Sequence, residues 1–449
     1  MKQKELFKEF LRYVTLNVCG MLGLSCYILA DTLFVSGGLG ANGLTALNLA
    51  IPVYSFVNGC GLMLGMGGAT KYAIFKGRRE NENANNTFSN VLCLTILLSI
   101  AFLFTGIFLS EKITVVLGAD GDVFSMTKTY LRVILLFAPA FMLNDVLICF
   151  VRNDGNPKLS MAAMLIGSFS NIIMDYLFIF PLQMGILGAV LATGFAPVIS
   201  MCILSKHRIT KQNRFHVQKL KLFPYLIKDT LCLGIPSLIT EVASGIVMII
   251  FNIIILRLQG NTGVAAYGII ANLSLVITAI YTGIAQGIQP ITSRAYGCGD
   301  SDSIRKILVY AITTMLLLSG CIYIVFLWGA DPIVKLFNKE QNSLLQQIAA
   351  TGLKLYFTAI PFAGFNIVLS THFTSTEKAL QAQAVSLSRG FFIIVPMTFF
   401  LSYAFDMTGV WLSYPVTELL VSVIGLILLN NCGKKSPHSA SFTGLFTIL

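Results

Sequence analysis

The sequence predicts an all-α integral membrane protein with about twelve transmembrane helices in two six-helix bundles, related by a parallel pseudo-twofold repeat. Three observations predict this: an unusually apolar composition, recurring long apolar runs, and an internal repeat. Of 449 residues, 55% are hydrophobic and 11% charged, with a mean hydropathy of +0.78, whereas soluble domains average about 45–50% apolar and about 25% charged residues. Runs of about 20 apolar residues are too long for barrel strands and suit helices that cross a core of about 30 Å.

Taken in order, the apolar runs define each predicted span. The spans are 10–36, 43–70, 89–110, 129–151, 159–182, 184–205, 229–256, 263–289, 307–328, 346–372, 380–403 and 408–430. Prolines inside them, such as Pro52, Pro139 and Pro361, predict kinks, because proline frees a backbone carbonyl and lets a membrane helix bend.

Lysine and arginine fall mainly in alternate loops, which predicts the orientation. Basic clusters follow the second span, from Lys71 to Arg79, and the sixth span, from Lys206 to Lys228. Because short basic loops stay on the cytoplasmic side, we expect both termini in the cytoplasm and a plasma-membrane location. The net charge of +11 is then explained by topology and contact with anionic membrane lipid, so we expect no nucleic-acid partner.

The two halves of the chain match at a shift of about 220 residues. Gly40 falls on Gly260, Lys158 on Lys378, and Gly188 within one position of Gly409. Each half holds an even number of spans, so the repeat is parallel, with its axis along the membrane normal. The expected divisions are an N-terminal bundle at 1–205, a basic cytoplasmic linker at 206–228, a C-terminal bundle at 229–431 and a cytoplasmic tail at 432–449.

Two aspartates lie inside apolar runs, where a charge is costly and usually marks an ion or substrate pathway. Asp31 lies nineteen residues beyond Arg12 on an outward-going span. Asp175 lies seventeen beyond Lys158 on another. At a rise of about 1.5 Å per residue, both reach about 25–28 Å from the inner surface. Asn171 is one turn from Asp175 on the same helical face.

Two further polar residues reach the same depth. Tyr27 is one turn inward of Asp31, and Thr193 lies about nine residues into span six. The predicted cation-coupling site therefore contains Asp31, Asp175, Asn171, Thr193 and Tyr27. It could hold Na⁺ at Asp31, Asn171, Asp175 and Thr193, or the acids could share a proton, since desolvation and like charge favour the protonated form. The alternatives are a structural partner or an acid that snorkels to the surface.

Three other intramembrane charges have less definite roles. Asp145 should lie near the cytoplasmic end of its span, close to Arg152, where a structural ion pair and a role in transport are both open. Glu241, thirteen residues beyond Lys228, is a secondary candidate site near the midplane of the second half. Arg389 could be a gate, a lipid or substrate contact, or a structural anchor.

Cysteine and histidine give no sign of a metal centre. The ten cysteines include no CxxC motif and the four histidines have no ligand spacing, so we expect reduced cysteines, no cofactor and no metal beyond a coupling Na⁺. An embedded transferase would need acid/base or metal motifs near a membrane face, and the sequence contains no HExxH motif. We therefore expect a non-enzymatic monomer whose partners are small organic molecules.

Three stretches together resemble the multidrug and toxic compound extrusion (MATE) family, and specifically its prokaryotic DinF-like branch. The stretches are YILADTLFV at 27–35, RNDGNPKLSMAAMLIGSFSNIIMDYLFIF followed by GILGAVLAT at 152–193, and GIAQGIQPITSRAYGCG at 283–299. The resemblance covers nearly the whole chain. It implies export of organic, often cationic, amphipathic compounds in exchange for H⁺ or Na⁺ by alternating access.

The resemblance also assigns residues. The family's N-terminal cation site falls on Asp31, Asn171, Asp175 and Thr193, with Tyr27 one turn away, and its span-seven acid falls on Glu241. The acid that some relatives carry in span ten has no counterpart, because residues 355–376 contain no Asp or Glu; this favours coupling through the N-terminal bundle. The alternative activity is a flippase for a lipid-linked oligosaccharide or other amphipathic lipid, which would need a cationic cavity, and Arg389 is one of few interior bases.

Overall fold

A computed structural model describes residues 3–219, 221–338 and 341–435. Residues 436–449 of the predicted tail lie outside the described residues. The described chain contains helices and no β-strand. The α-helices are α1 Gln3–Gly77, α2 Asn81–Phe108, α3 Ser110–Val116, α4 Gly121–Leu136, α5 Ala138–Asn153, α6 Pro157–Ile179, α7 Gly185–Leu204, α8 Lys206–Ile209, α9 Pro224–Gly297, α10 Ser301–Phe337, α11 Ser343–Tyr356, α12 Ile360–Ser375, α13 Ala379–Leu387 and α14 Ile394–Lys435. A 3₁₀ turn, Phe357–Ala359, precedes α12, and a π-helical turn, Ser388–Phe392, follows α13.

Three of the long helices are each two helices joined across a kink. A straight helix of the 75 residues of α1 would extend about 110 Å, far beyond a hydrocarbon core of about 30 Å. The break in α1 is Gly40 (φ 64°, ψ −157°) and that in α9 is Gly260 (φ 60°, ψ −155°). Glycine fits because it has no Cβ to clash at positive φ. In α14 the break is at Asp406 (φ 48°, ψ −131°).

The prediction of twelve spans is confirmed. Eight helices in the described residues are long and apolar enough to cross a membrane, and α4 with α5 form one more span bent by 48°. Counting the three kinked stretches as two spans each gives twelve. The predicted span 129–151 is therefore two helices, because Pro139 lies in the first turn of α5 and cannot continue the hydrogen bonding of α4.

The repeat is visible in the backbone itself. Besides the Gly40 and Gly260 breaks, positive φ angles occur at Arg79 (64°) and Gly299 (72°), which are 220 residues apart. Because positive φ is uncommon in regular helices, two such matches at one spacing confirm the predicted repeat.

The described chain forms two compact units. One runs Leu16–Val242; the other combines the chain up to Thr15 with the chain from Ala243. The first unit includes the beginning of α9, because its backbone packs closely on α1: a Cβ at Gly67 would lie 2.0 Å from the Thr230 carbonyl oxygen. Glu241 thus lies within the first unit. The bundle boundaries drawn from the repeat remain a prediction.

The linker predicted at 206–228 packs against the first unit. The backbone N–H of Arg214 donates to Asp154 Oδ2 (2.8 Å), and Asn90 Nδ2 donates to the Lys221 carbonyl oxygen (3.0 Å). Phe215 lies in an aromatic cluster, with its ring centroid 4.6 Å from that of Phe88. The segment is therefore fixed to one end of this unit by backbone and aromatic contacts.

Candidate functional site

The polar side of α6 faces the protein interior, and its apolar side faces outward. Asn171 and Asp175 are completely buried, whereas Phe169 and Ile173 are 61% and 59% exposed. This is the reverse of a helix on a soluble protein, and it matches a helix whose outer face contacts lipid and whose polar groups mark an internal pathway. The one-turn spacing of Asn171 and Asp175 therefore places both in one buried layer.

Asn171 connects α6 to α7. In the side-chain amide orientation that satisfies both neighbours, its Nδ2 donates to Asp175 Oδ2 at 3.0 Å, and its Oδ1 accepts from the backbone N–H of Thr193 at 3.2 Å. The close approach is helped by Gly167, where a Cβ would lie 3.3 Å from the Ala196 carbonyl oxygen. The structure thus brings together Asn171, Asp175 and Thr193, as the depth argument predicts.

Asp31, on the first half of α1, completes the group. Its carboxyl group lies within hydrogen-bonding distance of that of Asp175, and it is only 8% exposed. Two carboxyl groups can share a hydrogen bond only if one is protonated. The Oδ1 atom of each aspartate is buried without a donor partner among the described residues, so the pair has oxygen atoms ready for a proton or cation.

Tyrosines surround this pair. The hydroxyl of Tyr27 lies 3.3 Å from that of Tyr54, and Tyr27 interacts electrostatically with Asp31 and Asp175. Tyr130 is hydrogen-bonded to Thr193, whose Oγ1 also donates to the Ala189 carbonyl oxygen at 3.1 Å. Tyr54 and Tyr130 are absent from the sequence-based site because tyrosine in an apolar span gives no signal that separates it from a packed core residue.

Asp145 and Glu241 both lie in the unit Leu16–Val242. They interact electrostatically with each other, and Asn58 is hydrogen-bonded to Glu241. Arg152, expected near Asp145, is buried and donates to Asn17 Oδ1 at 3.0 Å. Asp145 packs instead against Gly61 of α1, where a Cβ would lie 2.6 Å from Asp145 Oδ2.

Arg389 lies in the second unit, on the π-helical turn, and forms an ion pair that the sequence analysis missed. Its Nε donates to Glu418 Oε1 at 2.5 Å. Glu418 is completely buried and its Oε2 accepts from Asn366 Nδ2 at 2.7 Å. Tyr414 completes the group, with its hydroxyl 3.4 Å from Arg389 Nη2. The signal that could have found Glu418 is the one that found Asp175: a single carboxylate within an apolar run, at 408–430.

The two buried clusters have different chemical capacities. The Asp31–Asp175 pair has two acids, an amide and a hydroxyl group, and can exchange a proton or bind a small cation. The Arg389–Glu418 pair neutralises itself. Among the described residues, no group of three or more His, Cys, Asp or Glu side chains could hold a metal ion.

Comparisons with known proteins agree with this fold. The MatE family model matches residues 18–177 and 236–400. The multidrug export protein MepA of Staphylococcus saprophyticus is 24% identical over 433 residues, covering 95% of this chain and 94% of that protein. MepA of Staphylococcus haemolyticus is 23% identical over 429 residues, with the same coverage of both.

Solved structures give the same result for the fold. A multidrug resistance MATE family transporter of the MOP superfamily, in an outward-facing conformation, aligns with a TM-score of 0.88 at 22% identity, covering 95% of this chain and 97% of that one. A MATE structure in the bent conformation aligns with a TM-score of 0.85, covering 94% of each chain.

Proposed function

Because this chain belongs to the MATE family of multidrug efflux transporters, we propose that it is a secondary active antiporter that exports organic, often cationic, amphipathic compounds in exchange for H⁺ or Na⁺. The chain is a multi-pass membrane protein. We place it in the plasma membrane, with both termini in the cytoplasm, and we assign the cation-coupling role to Asp31, Asp175, Asn171, Thr193 and Tyr27. It works by alternating access between its two bundles.

The observation that carries the coupling assignment is the direct contact of the Asp31 and Asp175 carboxyl groups. Two ionised carboxylates at hydrogen-bonding distance repel strongly in a buried site. A bound proton or Na⁺ removes that repulsion, so the site has different free energies with and without the cation. A ligand shifts a conformational equilibrium only if its affinity differs between the two conformations, so coupling requires that the two conformations bind the cation with different affinities.

The surrounding groups suit either ion. Asn171 holds Asp175 Oδ2 in place from one side, and the buried Oδ1 atoms of both aspartates lack donors. For H⁺, the second carboxyl group stabilises the first as a hydrogen-bond partner. For Na⁺, the carboxylate oxygens, the Asn171 amide oxygen and the Thr193 hydroxyl oxygen are hard ligands of the kind such cations prefer.

The test is transport by the full-length protein in proteoliposomes, with ethidium as the cargo. A pH gradient and a Na⁺ gradient are imposed separately, and ethidium movement is followed by fluorescence. We expect one gradient to drive transport and Asp31→Asn to abolish it, while the exposed control Asp302→Asn transports as the wild type does. Undiminished gradient-driven transport by Asp31→Asn and Asp175→Asn, at normal abundance, would overturn the site assignment.

A further inference from the structure

We infer that the hydroxyl groups of Ser168 and Ser200 form a transit site for the coupling cation, on its route between the Asp31–Asp175 pair and the cytoplasm. The transit site lies between α6 and α7. Its ligand is a small hydrated cation, which is Na⁺ or a proton carried by water. This inference rests on the proposed antiport and on the proposed orientation, and it adds a route to a coupling site whose residues stay as assigned above.

The two serines continue the helix faces that carry the coupling site. Ser168 lies seven residues before Asp175 on α6, and Ser200 lies seven residues after Thr193 on α7. Seven residues make nearly two helical turns, so each serine lies on almost the same face as the site residue, about 10 Å along the axis. Because α6 and α7 run in opposite directions, both serines lie toward the end of the unit that carries the 206–228 linker, which we place in the cytoplasm.

Neither serine hydroxyl has a hydrogen-bond partner among the described residues, although Ser168 and Ser200 are only 4% and 3% exposed. A hydroxyl inside a helix can donate to a carbonyl one turn earlier, as Thr193 does to Ala189 at 3.1 Å. Ser170 of α6 also donates to a carbonyl of its own helix, at 2.7 Å. A buried hydroxyl without a partner has a desolvation cost that nothing in the fold offsets. A hydrated cation satisfies each hydroxyl as it passes.

The backbone of α7 adds an oxygen atom between the coupling site and Ser200. Pro197 lies inside α7 and has no N–H, so it cannot donate the helical hydrogen bond to the Thr193 carbonyl oxygen. Carbonyl groups of a helix point toward its C-terminal end, so this oxygen points from the coupling site toward Ser200. Carbonyl oxygens freed in this way are ligands for small cations within membrane helices.

The oxygen atoms of this route are separated by short distances along the helix axes. The bond between Asn171 and the Thr193 N–H puts these two residues at one depth. From that depth, the helix rise places Ser168 about 4.5 Å inward and Ser200 about 10.5 Å inward. The axial gap between the two serines is about 6 Å, which one water molecule of a hydrated cation bridges. No side chain of α6 separates Ser200 from the α6 backbone at Gly167, where a Cβ would lie 3.3 Å from the Ser200 Cβ.

The test measures gradient-driven ethidium transport by the full-length protein in proteoliposomes over a range of coupling-ion concentrations. The double variant Ser168→Ala with Ser200→Ala removes both hydroxyl groups. We expect its maximal rate to fall about tenfold or more, because the cation loses two oxygen partners between the coupling site and the cytoplasm. The coupling-ion concentration for half-maximal transport should stay unchanged, since the coupling site keeps all its ligands.

A matched control separates transit of the cation from a structural role. Ser170→Ala with Ser205→Ala removes one hydroxyl from α6 and one from the end of α7, and each of these bonds to a carbonyl of its own helix. The control should transport as the wild type does. The Ser168→Ala and Ser200→Ala double variant should not unfold at a lower temperature, because neither substitution removes a hydrogen bond. A lower unfolding temperature together with a lower rate, or an equal loss of rate in the control, would overturn the inference.

The remaining outcomes separate the transit site from the proposed antiport. If the wild type moves no ethidium under either gradient, the antiport itself is refuted. If Asp31→Asn is inactive while the double serine variant keeps the wild-type maximal rate, the antiport stands and the transit site is refuted. A rise in the half-maximal concentration at an unchanged maximal rate would place the serines in the coupling site and refute the transit site. If the double variant does not fold, Ser168→Ala and Ser200→Ala are measured singly with the same expectation.

Discussion

The Asp31–Asp175 pair of the first unit and the Arg389–Glu418 pair of the second are built from similar parts. In each, an asparagine Nδ2 donates to a buried carboxyl oxygen: Asn171 to Asp175 at 3.0 Å and Asn366 to Glu418 at 2.7 Å. The difference is the other partner of that carboxyl group. In the first unit it is a second acid; in the second unit it is a guanidinium group.

This difference decides whether a buried carboxyl group is already neutralised within the protein or could still be neutralised by an added cation. Glu418 has both oxygens satisfied within the protein, so an added cation would have to displace Arg389. Asp31 and Asp175 keep buried oxygens without donors, so an added cation satisfies them. Similar parts thus leave carboxyl oxygens without donors in one unit and form a self-neutralised ion pair in the other. Four predictions test this contrast.

The largest effect should come from breaking the ion pair. Glu418→Gln leaves the mostly buried Arg389 without its counter-charge, which costs about 3–5 kcal/mol for a buried pair. We expect a marked fall in the thermal unfolding temperature of the detergent-solubilised protein. The paired change Arg389→Met with Glu418→Met should recover most of the stability, because a buried pair can be replaced by apolar side chains of similar size. If the double variant is stable but does not transport, the pair is more than structural.

The second prediction concerns the Asp31–Asp175 pair of the first unit, where a substitution should reduce transport rather than stability. Asp175→Asn should reduce coupled ethidium transport in proteoliposomes by about a hundredfold, the size of effect that loss of a key buried charge produces, about 2.7 kcal/mol. Its unfolding temperature should not fall, since the amide removes a like-charge repulsion and can still hydrogen-bond to Asp31. A fall as large as that of Glu418→Gln would show that the two pairs are both structural.

The third prediction compares the two asparagines. Asn171→Ala removes a hydrogen bond to a charged group, worth about 1.5–3 kcal/mol, so the coupling-ion concentration for half-maximal transport should rise about tenfold. Asn366→Ala should lower the unfolding temperature instead and leave that concentration unchanged. Coupling-ion titrations of transport, with melting curves on the same samples, check both. Equal effects of the two variants on ion dependence would contradict the contrast.

The smallest effect concerns the glycine kinks, a feature in which the two units are alike. Gly40 and Gly260 have nearly the same backbone angles, with φ 64° and 60°, and a Cβ at either would meet no neighbouring atom within 4 Å. Alanine at either should therefore cost only the backbone strain of a φ/ψ region that is almost restricted to glycine, about 1–3 kcal/mol, and about the same amount in both units. Melting curves of Gly40→Ala and Gly260→Ala measure this cost. A clear difference between the two unfolding temperatures would show that the two kinks contribute differently to stability.

Much of this architecture could be predicted because it depends on local properties. Apolar runs set the spans, and Gly40 and Gly260 recur at a spacing that reveals the repeat. Asp31, Asn171 and Asp175 could be grouped by depth because a helix has a fixed rise per residue. Glu418 carries the same sequence signal as Asp175, because it is a lone acid in an apolar run.

Other features could not be read from the chain. Helix rise gives the depth of Asp145 but not the direction in which its side chain points. Its contact with Gly61, and the hydrogen bond of Arg152 to Asn17, therefore follow only from packing. Glu241 belongs by sequence order to the second half, yet the contact of Gly67 with Thr230 puts the start of α9 in the first unit. Side-chain neighbours across helices depend on rotation about each helix axis, which a hydropathy pattern leaves undetermined.

The sequence by itself determined that the chain crosses a membrane repeatedly, that its halves are repeats, and which acids lie buried at one depth, because hydrophobicity and helix rise are properties of single residues and single helices. Only the tertiary structure decided that Asp175 meets another acid while Glu418 meets an arginine. That choice depends on which helix faces are packed together, and it determines whether a buried carboxylate is available to a cation or already neutralised.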